Sequence, residues 1–183
     1  MNKQPELTEQ TKQKFMNSFC DLYSRKSIEK ISIQEIATKA GYNRSTFYQY
    51  FTDIYDLLDV VENSLLNEVQ ASLATKHDSN TEIRDALQCM ESEEHFTALK
   101  ALLGVYGSGH FLERLKKEIS FDKLNFPFHE NAALSPYLVE FYLATALSLF
   151  RLWLQRGKDL PSEEVFALMD NLYKSGVKPY LAE

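Results

Sequence analysis

Six side chains with hydrogen-bonding groups crowd into seven consecutive positions in the N-terminal part of the chain. They are Arg44, Ser45, Thr46, Tyr48, Gln49 and Tyr50. Guanidinium, hydroxyl and amide groups can hydrogen-bond phosphate oxygens or the edges of bases. No acidic residue occurs from position 39 to position 52, whereas a helix that faces only water usually carries Glu as well as Lys. The row therefore favours a polyanionic partner.

A predicted helix precedes this row. Ser32 and Glu35 have the S-x-x-E spacing of a capping box, which predicts that a helix begins there. Apolar residues then recur at helical spacing, at Ile33, Ile36, Ala37 and Ala40. Gly41 can adopt the left-handed conformation that ends a helix.

The row itself is predicted to form a short helix from about Arg44 to Tyr50, capped by Asn43. Phe47 and Phe51 are four residues apart and would face the core. Two helices joined by a glycine-containing turn form a helix-turn-helix, whose second helix fits the major groove of DNA. Any three-helix packing can contain such a corner, so the spacing alone leaves a purely structural interpretation open.

The run ISIQEIATKAGYNRSTFYQYFTDIYDLL resembles the N-terminal signature of TetR-family regulators. The shared features are an I-S-hydrophobic start, I-A-x-x-A-G, R-x-T-F-Y, and a Phe before the start of a D-x-x-D-L helix. The resemblance covers about residues 8 to 60 and is more specific than a generic helix-turn-helix.

The resemblance implies a role for each matching position. Thr46 and Tyr50 would contact phosphates, and Tyr48 and Gln49 phosphates or bases. Arg44 would enter the groove. Gln34 would contact a base or the DNA backbone from the preceding helix. The remaining DNA-binding candidates are Lys39, Asn43 and Ser45.

One position departs from the family pattern. The fourth helix starts with Ile54, where family members usually have a basic residue that contacts phosphate. Lys39 can supply the missing contact instead. So can the lysines of the N-terminal arm, which are Lys3, Lys12 and Lys14.

Charge is distributed unevenly along the 183 residues. The net charge is −6, which by itself argues against a nucleic-acid partner. Residues 1–60 carry eight basic and eight acidic side chains, however, so the acidic excess is C-terminal. Residues 25–52 have a local charge of +3. The objection is therefore weaker for the helix-turn-helix than for the whole chain.

Helical periodicity extends over the rest of the chain. A first helix is predicted at about residues 8–24 with Thr8 as its N-cap, and a long fourth helix after Thr52 and Asp53. Residues 76–81 form the strongest internal linker signal. Later helices are predicted at about 82–91, 93–106, 109–125, 136–156 and 162–175. The prediction is an all-α protein with an N-terminal three-helix DNA-binding head at 1–52 and a helical dimerisation and ligand-binding body at 53–183.

The C-terminal stretch from Tyr137 to Tyr173 resembles the family more loosely. In TetR-type proteins two such helices pair with the same two helices of a second subunit. Residues 136–156 are apolar nearly all round, more than a small monomer can hide. A homodimer is therefore predicted, and Leu147 and Phe150 are chosen as interface positions.

Other kinds of site find little support in the sequence. No nucleophile, acid-base pair or metal set occurs at recognisable spacing, and the cysteines Cys20 and Cys89 are interpreted as buried thiols. We therefore predict no catalytic residue, no metal, no cofactor and no enzyme. The aromatic residues of the body can fill the core or line the cavity of an unidentified small-molecule effector, and core filling is favoured.

Taken together, these patterns predict a cytoplasmic regulator without a signal peptide or a membrane span. It would be a sequence-specific repressor that binds a palindromic operator in double-stranded DNA as a homodimer and is released by a small-molecule effector. Two rival interpretations remain. One is a helical interaction module that has kept the corner without binding DNA specifically, and the other is an enzyme that binds small molecules.

Overall fold

The computed structural model describes residues 3–75, 93–107, 109–118 and 133–177. This part of the chain contains eight α-helices and no strand, so the all-α prediction is confirmed. The helices are α1 (Lys3–Tyr23), α2 (Ile33–Ala40), α3 (Arg44–Phe47), α4 (Ile54–Thr75), α5 (Glu93–Leu102), α6 (Gly109–Glu118), α7 (Ser135–Gln155) and α8 (Ser162–Val177), and a 3-10 turn (Ile28–Lys30) precedes α2.

The chain divides into two compact units. The first consists of Met1–Asn67 with Ser92–Leu112, and the second of Glu68–Glu91 with Glu113–Glu183. The predicted linker at 76–81, the predicted helix at 82–91 and Cys89 lie outside the described residues.

An aromatic cluster forms the core of the first unit around α1. Phe15 is fully buried, and its ring lies nearly perpendicular to the rings of Phe47 and Phe51, at centroid distances of 5.5 and 6.1 Å. T-shaped contacts of this kind are favourable because the positive edge of one ring meets the negative face of another. The predicted inward direction of Phe47 and Phe51 is confirmed, and these two rings fasten the residues around α3 to α1.

The start of α1 was predicted wrongly. The helix begins at Lys3, so Thr8 lies inside it and is not its N-cap. The segment before Thr8 is polar but rich in good helix formers, and Pro5 lies in the first turn, where its missing N–H has no helical partner to lose. Thr11 confirms the continuity, since its Oγ1 donates to the carbonyl of Leu7 at 2.7 Å.

Two other helices are shorter than predicted. The third helix ends at Phe47, and residues 48–50 continue as turns, so the recognition row occupies one helical turn and the bends after it. Helix α5 ends at Leu102 rather than at 106. Of the predicted helix at 109–125, α6 accounts for Gly109–Glu118, and the remainder lies outside the described residues.

The second unit is organised by the pairing of α7 with α8. The buried side of α7 includes Phe150 and Trp153, which pack against Phe166 of α8 at centroid distances of 6.4 and 6.3 Å. After α7 the chain turns through Gly157, and the Trp153 indole Nε1 donates to the carbonyl of Leu160 at 2.9 Å. The ring and this hydrogen bond hold the connection between the two helices.

The choice of Leu147 and Phe150 as interface positions was wrong. Both are buried inside the protomer, at 2% and 0% exposure. A helix that is apolar on most of its circumference does not indicate in sequence which side faces its own subunit.

By length and composition α7 is also the only helix of the described ranges that could cross a membrane, and 44% of its most apolar window is buried in the protein.

Candidate nucleic-acid interface

The first helix of the corner begins with the predicted capping box. Ser32 Oγ accepts from the Glu35 backbone N–H at 3.2 Å, and the Ser32 N–H donates to Glu35 Oε2 at 2.9 Å. Lys26 Nζ lies 2.7 Å from Glu35 Oε1. These contacts, that of Lys26 first, lower the pKa of Glu35 from 4.5 to about 2. Glu35 is therefore ionised near neutral pH and ties α2 to the segment that follows α1.

The turn between α2 and α3 is closed by backbone hydrogen bonds. Gly41 has a φ of 80°, and its N–H donates to the carbonyl of Thr38. The N–H of Tyr42 donates to the carbonyl of Ala37 at 2.9 Å. This pair of bonds is a Schellman motif, which requires a left-handed residue at the glycine position. The predicted end of α2 is confirmed.

Tyr42 fixes the same turn from its side-chain end, a role that the sequence did not suggest. Its hydroxyl lies 3.3 Å from Thr11 Oγ1, and its ring centroid lies 5.3 Å from that of Phe15. Lys14 Nζ lies 5.6 Å from the same ring. The turn is thus anchored to α1 by contacts between residues about thirty positions apart.

Asn43 orders the start of α3. Its Oδ1 accepts from the Thr46 backbone N–H at 2.8 Å, which confirms the predicted cap. The same oxygen accepts from Thr46 Oγ1 at 2.8 Å and from Ser45 Oγ at 2.7 Å. Asn43 therefore holds both hydroxyls in fixed positions at the end of the helix that would approach DNA.

Arg44 and Tyr48 form a pair on the exposed side of the corner. Arg44 Nη2 donates to the Tyr48 hydroxyl at 2.9 Å, and Nε donates to it at 3.3 Å. The guanidinium carbon lies 5.4 Å from the ring centroid, within cation–π range. Both side chains are exposed, and the pairing limits the rotamers of Arg44 before any partner binds.

The other predicted contact residues differ in exposure. Gln34 and Gln49 are exposed, and Gln34 Nε2 donates to Thr38 Oγ1 at 3.1 Å. Thr46 and Tyr50 are half-buried, and the Tyr50 ring centroid lies 6.3 Å from that of Phe15. The exposed residues of the row therefore come both before and after the buried Phe47 in the chain.

Ion pairs within the protein engage most of the basic side chains around the corner. Asp21 contacts Arg25 and Lys39 at 2.7 Å each, and Glu35 contacts Lys26. Among the five basic residues of positions 25–52, only Lys30 and Arg44 form no ion pair with a described residue. The sequence did not reveal the Asp21–Lys39 pair, because 18 positions separate its members and only the packing of α1 on α2 brings them together.

The start of α4 is capped by acidic side chains. Asp53 Oδ1 accepts from the N–H groups of Tyr55 and Asp56, and Asp56 Oδ2 accepts from the N–H of Thr52. Asp53 thus caps as predicted, whereas Thr52 takes part through its backbone. Two carboxylates next to Ile54 compensate the positive end of the helix dipole. The first turn of α4, Ile54–Leu57, has Asp56 and no basic residue.

The described residues offer neither a cluster of metal ligands nor a reactive thiol. In the described ranges, no group of three or more His, Cys, Asp or Glu residues is arranged to hold a metal ion. Cys20 is buried as predicted, and burial raises its pKa to about 12. Its thiol is therefore protonated near neutral pH and is a poor nucleophile.

Comparison with known proteins identifies the corner. The family described as "Bacterial regulatory proteins, tetR family" matches residues 20–61, which span the end of α1 through the first turns of α4. No curated protein matches the sequence significantly. The family's description names regulatory proteins, which agrees with the prediction of a regulator.

Three solved structures resemble the whole chain. The "Dihydroxyacetone kinase operon activator DhaS" is 20% identical with a TM-score of 0.60 and covers 94% of this chain and 98% of its own. A tetR-family transcriptional regulator from Streptomyces coelicolor is 20% identical, with a TM-score of 0.61 and coverage of 90% and 81%. The TetR-like regulator LfrR from Mycobacterium smegmatis, in complex with proflavine, is 15% identical, with a TM-score of 0.53 and coverage of 91% and 96%.

At these identities the likenesses establish the fold. The matched segment spans the helix-turn-helix corner of that fold. Residues 20–61 thus match the family described as "Bacterial regulatory proteins, tetR family", and the chain shares the fold of the three solved regulators.

Proposed function

We propose that this regulator binds its operator through the α2–α3 corner and represses transcription there. The observation that carries the proposal is the exposed pair of Arg44 and Tyr48 beside hydroxyls that Asn43 has already oriented. Donors held in place lose little side-chain entropy when they meet DNA. The proposed contacts are Gln34, Lys39, Asn43, Arg44, Ser45, Thr46, Tyr48, Gln49 and Tyr50.

The proposed contacts have different tasks. Thr46 and Tyr50 would hold phosphates and set the position of the head, because half-buried side chains next to the core have little freedom to follow bases. Arg44 and the exposed Gln34 and Gln49 would reach base edges, each good contact contributing roughly 1–3 kcal/mol of discrimination. We assign the head to residues 1–52 and the regulatory body to 53–183.

A homodimer is proposed from an apolar stripe on the second unit. Exposed residues follow helical spacing along α7, at Tyr137, Phe141 and Leu152, and Leu168 and Leu172 on α8 are exposed as well. An isolated subunit would leave these large side chains in water, and a two-fold axis lets the same stripe bury itself. Two heads related by that axis would read a palindrome with half-sites roughly 34–36 Å apart or a multiple of that distance.

Repression is the simplest outcome of such binding, since a dimer that occupies a promoter needs no further contact to block it. A solved structure with the same fold is named an operon activator. Whether this protein represses or activates transcription therefore needs its own test. Loss of the protein should raise transcription from the promoter it binds, and a fall would establish activation instead. Both outcomes require a protein that acts in the cytoplasm, where we place it.

A cavity in the first unit is the proposed effector site. It is lined by α4 residues Val61, Ser64 and Leu65, by His95 and Ala98 of α5, and by α1 residues that include Cys20. A small molecule bound there would change how α4 packs on α1 and would weaken DNA binding through unequal affinity for the two arrangements. LfrR, which shares the fold, was solved with proflavine.

The decisive experiment is a fluorescence-anisotropy titration on fragments selected from genomic DNA, at two salt concentrations. Arg44→Ala should weaken binding to the preferred fragment by roughly 1–3 kcal/mol if it contacts a base. Lys100→Ala is the matched control, because it removes one exposed positive charge from α5 outside the corner. Equal binding by both variants and wild type would show that the recognition assignment is wrong.

The same titration tests the rival function of a protein-interaction module. That function is favoured by the net charge of −6 and by Ile54 at the start of α4. Because few basic side chains are available, the logarithmic salt slope should be shallow, about 0.9 for each phosphate neutralised. If no fragment binds above background, the interaction module replaces DNA binding as the function.

A further inference from the structure

Among the described acidic residues, Asp21 forms ion pairs with more of the basic residues around the corner than any other. It lies in the last turn of α1, and its two carboxylate oxygens have separate cationic partners. Oδ1 lies 2.7 Å from Arg25 Nη2, and Oδ2 lies 2.7 Å from Lys39 Nζ. One side chain thus pairs with two of the five basic residues that give positions 25–52 their positive charge.

This arrangement is chemically close to that of a phosphate bound between two cations. A carboxylate and a phosphodiester both present anionic oxygens to Lys and Arg. Lys39 lies in the last turn of α2, immediately before the Gly41 turn that leads to α3. The cation that Asp21 holds is therefore next to the elements that would meet the DNA backbone.

All three partners are accessible to solvent. The side chains of Lys39 and Arg25 are 42% and 72% exposed, and that of Asp21 is 28% exposed. Exposed ion pairs contribute little to stability and exchange partners readily. The pKa of Asp21 is lowered, chiefly by its hydrogen bond with Lys39, so the carboxylate remains charged throughout the physiological pH range.

We propose that Asp21 is an internal competitor of DNA phosphate: it occupies Lys39 and Arg25 in the free protein and so restrains both the affinity for DNA and its dependence on salt. The proposal rests on the proposed DNA contact of Lys39. Asp21 would not touch DNA itself, but it would limit the strength of non-specific binding.

Such a restraint limits background binding to DNA of any sequence. Phosphate contacts strengthen binding to every sequence alike, whereas base contacts strengthen binding only to the preferred one. A residue that withholds cations from phosphate therefore lowers the affinity for preferred and random sites by a similar factor, which reduces background occupancy and leaves the ratio of the two affinities unchanged. The Glu35–Lys26 pair is a less suitable test position, because Glu35 also forms the capping box of α2.

The test compares Asp21→Asn with Glu29→Gln. Glu29 is exposed in the 3-10 turn before α2 and forms no ion pair with a described residue. Both variants remove one negative charge from the head, but only Asp21→Asn releases cations. Each is titrated with a random-sequence duplex and with the selected fragment between 50 and 200 mM salt, and thermal unfolding confirms that each variant is folded.

Asp21→Asn should bind the random duplex more tightly than Glu29→Gln does, with a steeper salt dependence. Each released cation that reaches a phosphate raises the slope by about 0.9, which multiplies the ratio of affinities at the two salt concentrations by about 3.5. Adding Lys39→Gln to Asp21→Asn should lower the salt slope again by at least the contribution of one neutralised phosphate, about 0.9. The preference for the selected fragment over the random duplex should stay close to that of wild type in Asp21→Asn, because released cations strengthen binding to both duplexes alike.

Three results would overturn the proposal. If the slopes of Asp21→Asn and Glu29→Gln are equal while wild type binds DNA, the competition does not exist although the proposed function stands. If Asp21→Asn binds more weakly than wild type while remaining folded, Asp21 positions Lys39 for DNA instead of withholding it. If wild type and all variants fail to bind any duplex, the proposed function fails and the competition fails with it.

Discussion

Replacing Gly41 with alanine tests whether the turn of the corner depends on backbone conformation or on space. Gly41 has a φ of 80°, and a Cβ built on it would meet no atom within 4 Å. Steric crowding by neighbouring groups would therefore not contribute to any loss of stability in Gly41→Ala. The remaining cost is that of holding an L-residue in the left-handed region, about 1–2 kcal/mol.

Two other glycines calibrate this cost. Gly157 has a φ of 75° and open space around its Cβ position, whereas Gly109 has open space without a positive φ. Alanine also restricts the unfolded chain, which stabilises the protein by about 0.4–1 kcal/mol wherever its backbone is compatible. Gly41→Ala and Gly157→Ala should therefore lose about 1 kcal/mol each, and Gly109→Ala should gain slightly.

The assay is urea unfolding of the three variants beside wild type, supported by melting temperatures. A loss of 1 kcal/mol should lower the melting temperature of a chain of this length by about 2–4 °C. Gly41→Asn should recover part of the loss, because Asn tolerates the left-handed region better than Ala. Only the Gly41 variants should also weaken DNA binding, since that turn sets the direction of α3. If Gly41→Ala and Gly109→Ala unfold at the same urea concentration, the conformational argument is wrong.

Three further sets of substitutions test the capping box, the cap of α3 and the apolar stripe. Glu35 has a pKa lowered in the folded state, so its stabilisation is complete above pH 4.5 and is lost as the pH falls towards 2; Glu35→Gln should flatten that part of a melting-temperature profile against pH. Asn43→Ala should cost about 1 kcal/mol in urea unfolding, whereas Asn43→Asp, which keeps the capping oxygen, should cost less. Phe141→Glu and Leu172→Glu should yield monomers in light scattering at micromolar concentration, and Val105→Glu, which alters an exposed apolar residue of the first unit, should not; a monomeric wild type would contradict the dimer.

Local chemistry accounts for the features of the corner that the sequence predicted. The capping box at Ser32, the left-handed Gly41 and the Asn43 cap each depend on residues within five positions of one another. A short range of sequence therefore contains all the groups that form each feature. The inward direction of Phe47 and Phe51 follows from the same helical spacing.

The features that sequence reasoning missed depend on packing between distant residues. The pairing of Asp21 with Lys39 and the contact of Tyr42 with Thr11 join α1 to the corner across 18 and 31 positions. The wrong choice of Leu147 has a similar cause. Periodicity shows that α7 is apolar on most sides, but only the packing of the folded protomer determines which side is buried.

Trp153 gives the protein an optical reporter for one of its two units. It is the single tryptophan of the chain, it is buried, and Leu160 accepts its indole hydrogen. An indole moved from this apolar site into water would emit at longer wavelength, so the emission maximum follows the packing of α7 against α8. The first unit contains no tryptophan, and its rearrangements are invisible in that signal unless they propagate to the second. A red shift observed on adding a small molecule or DNA would therefore be a direct record of communication between the units.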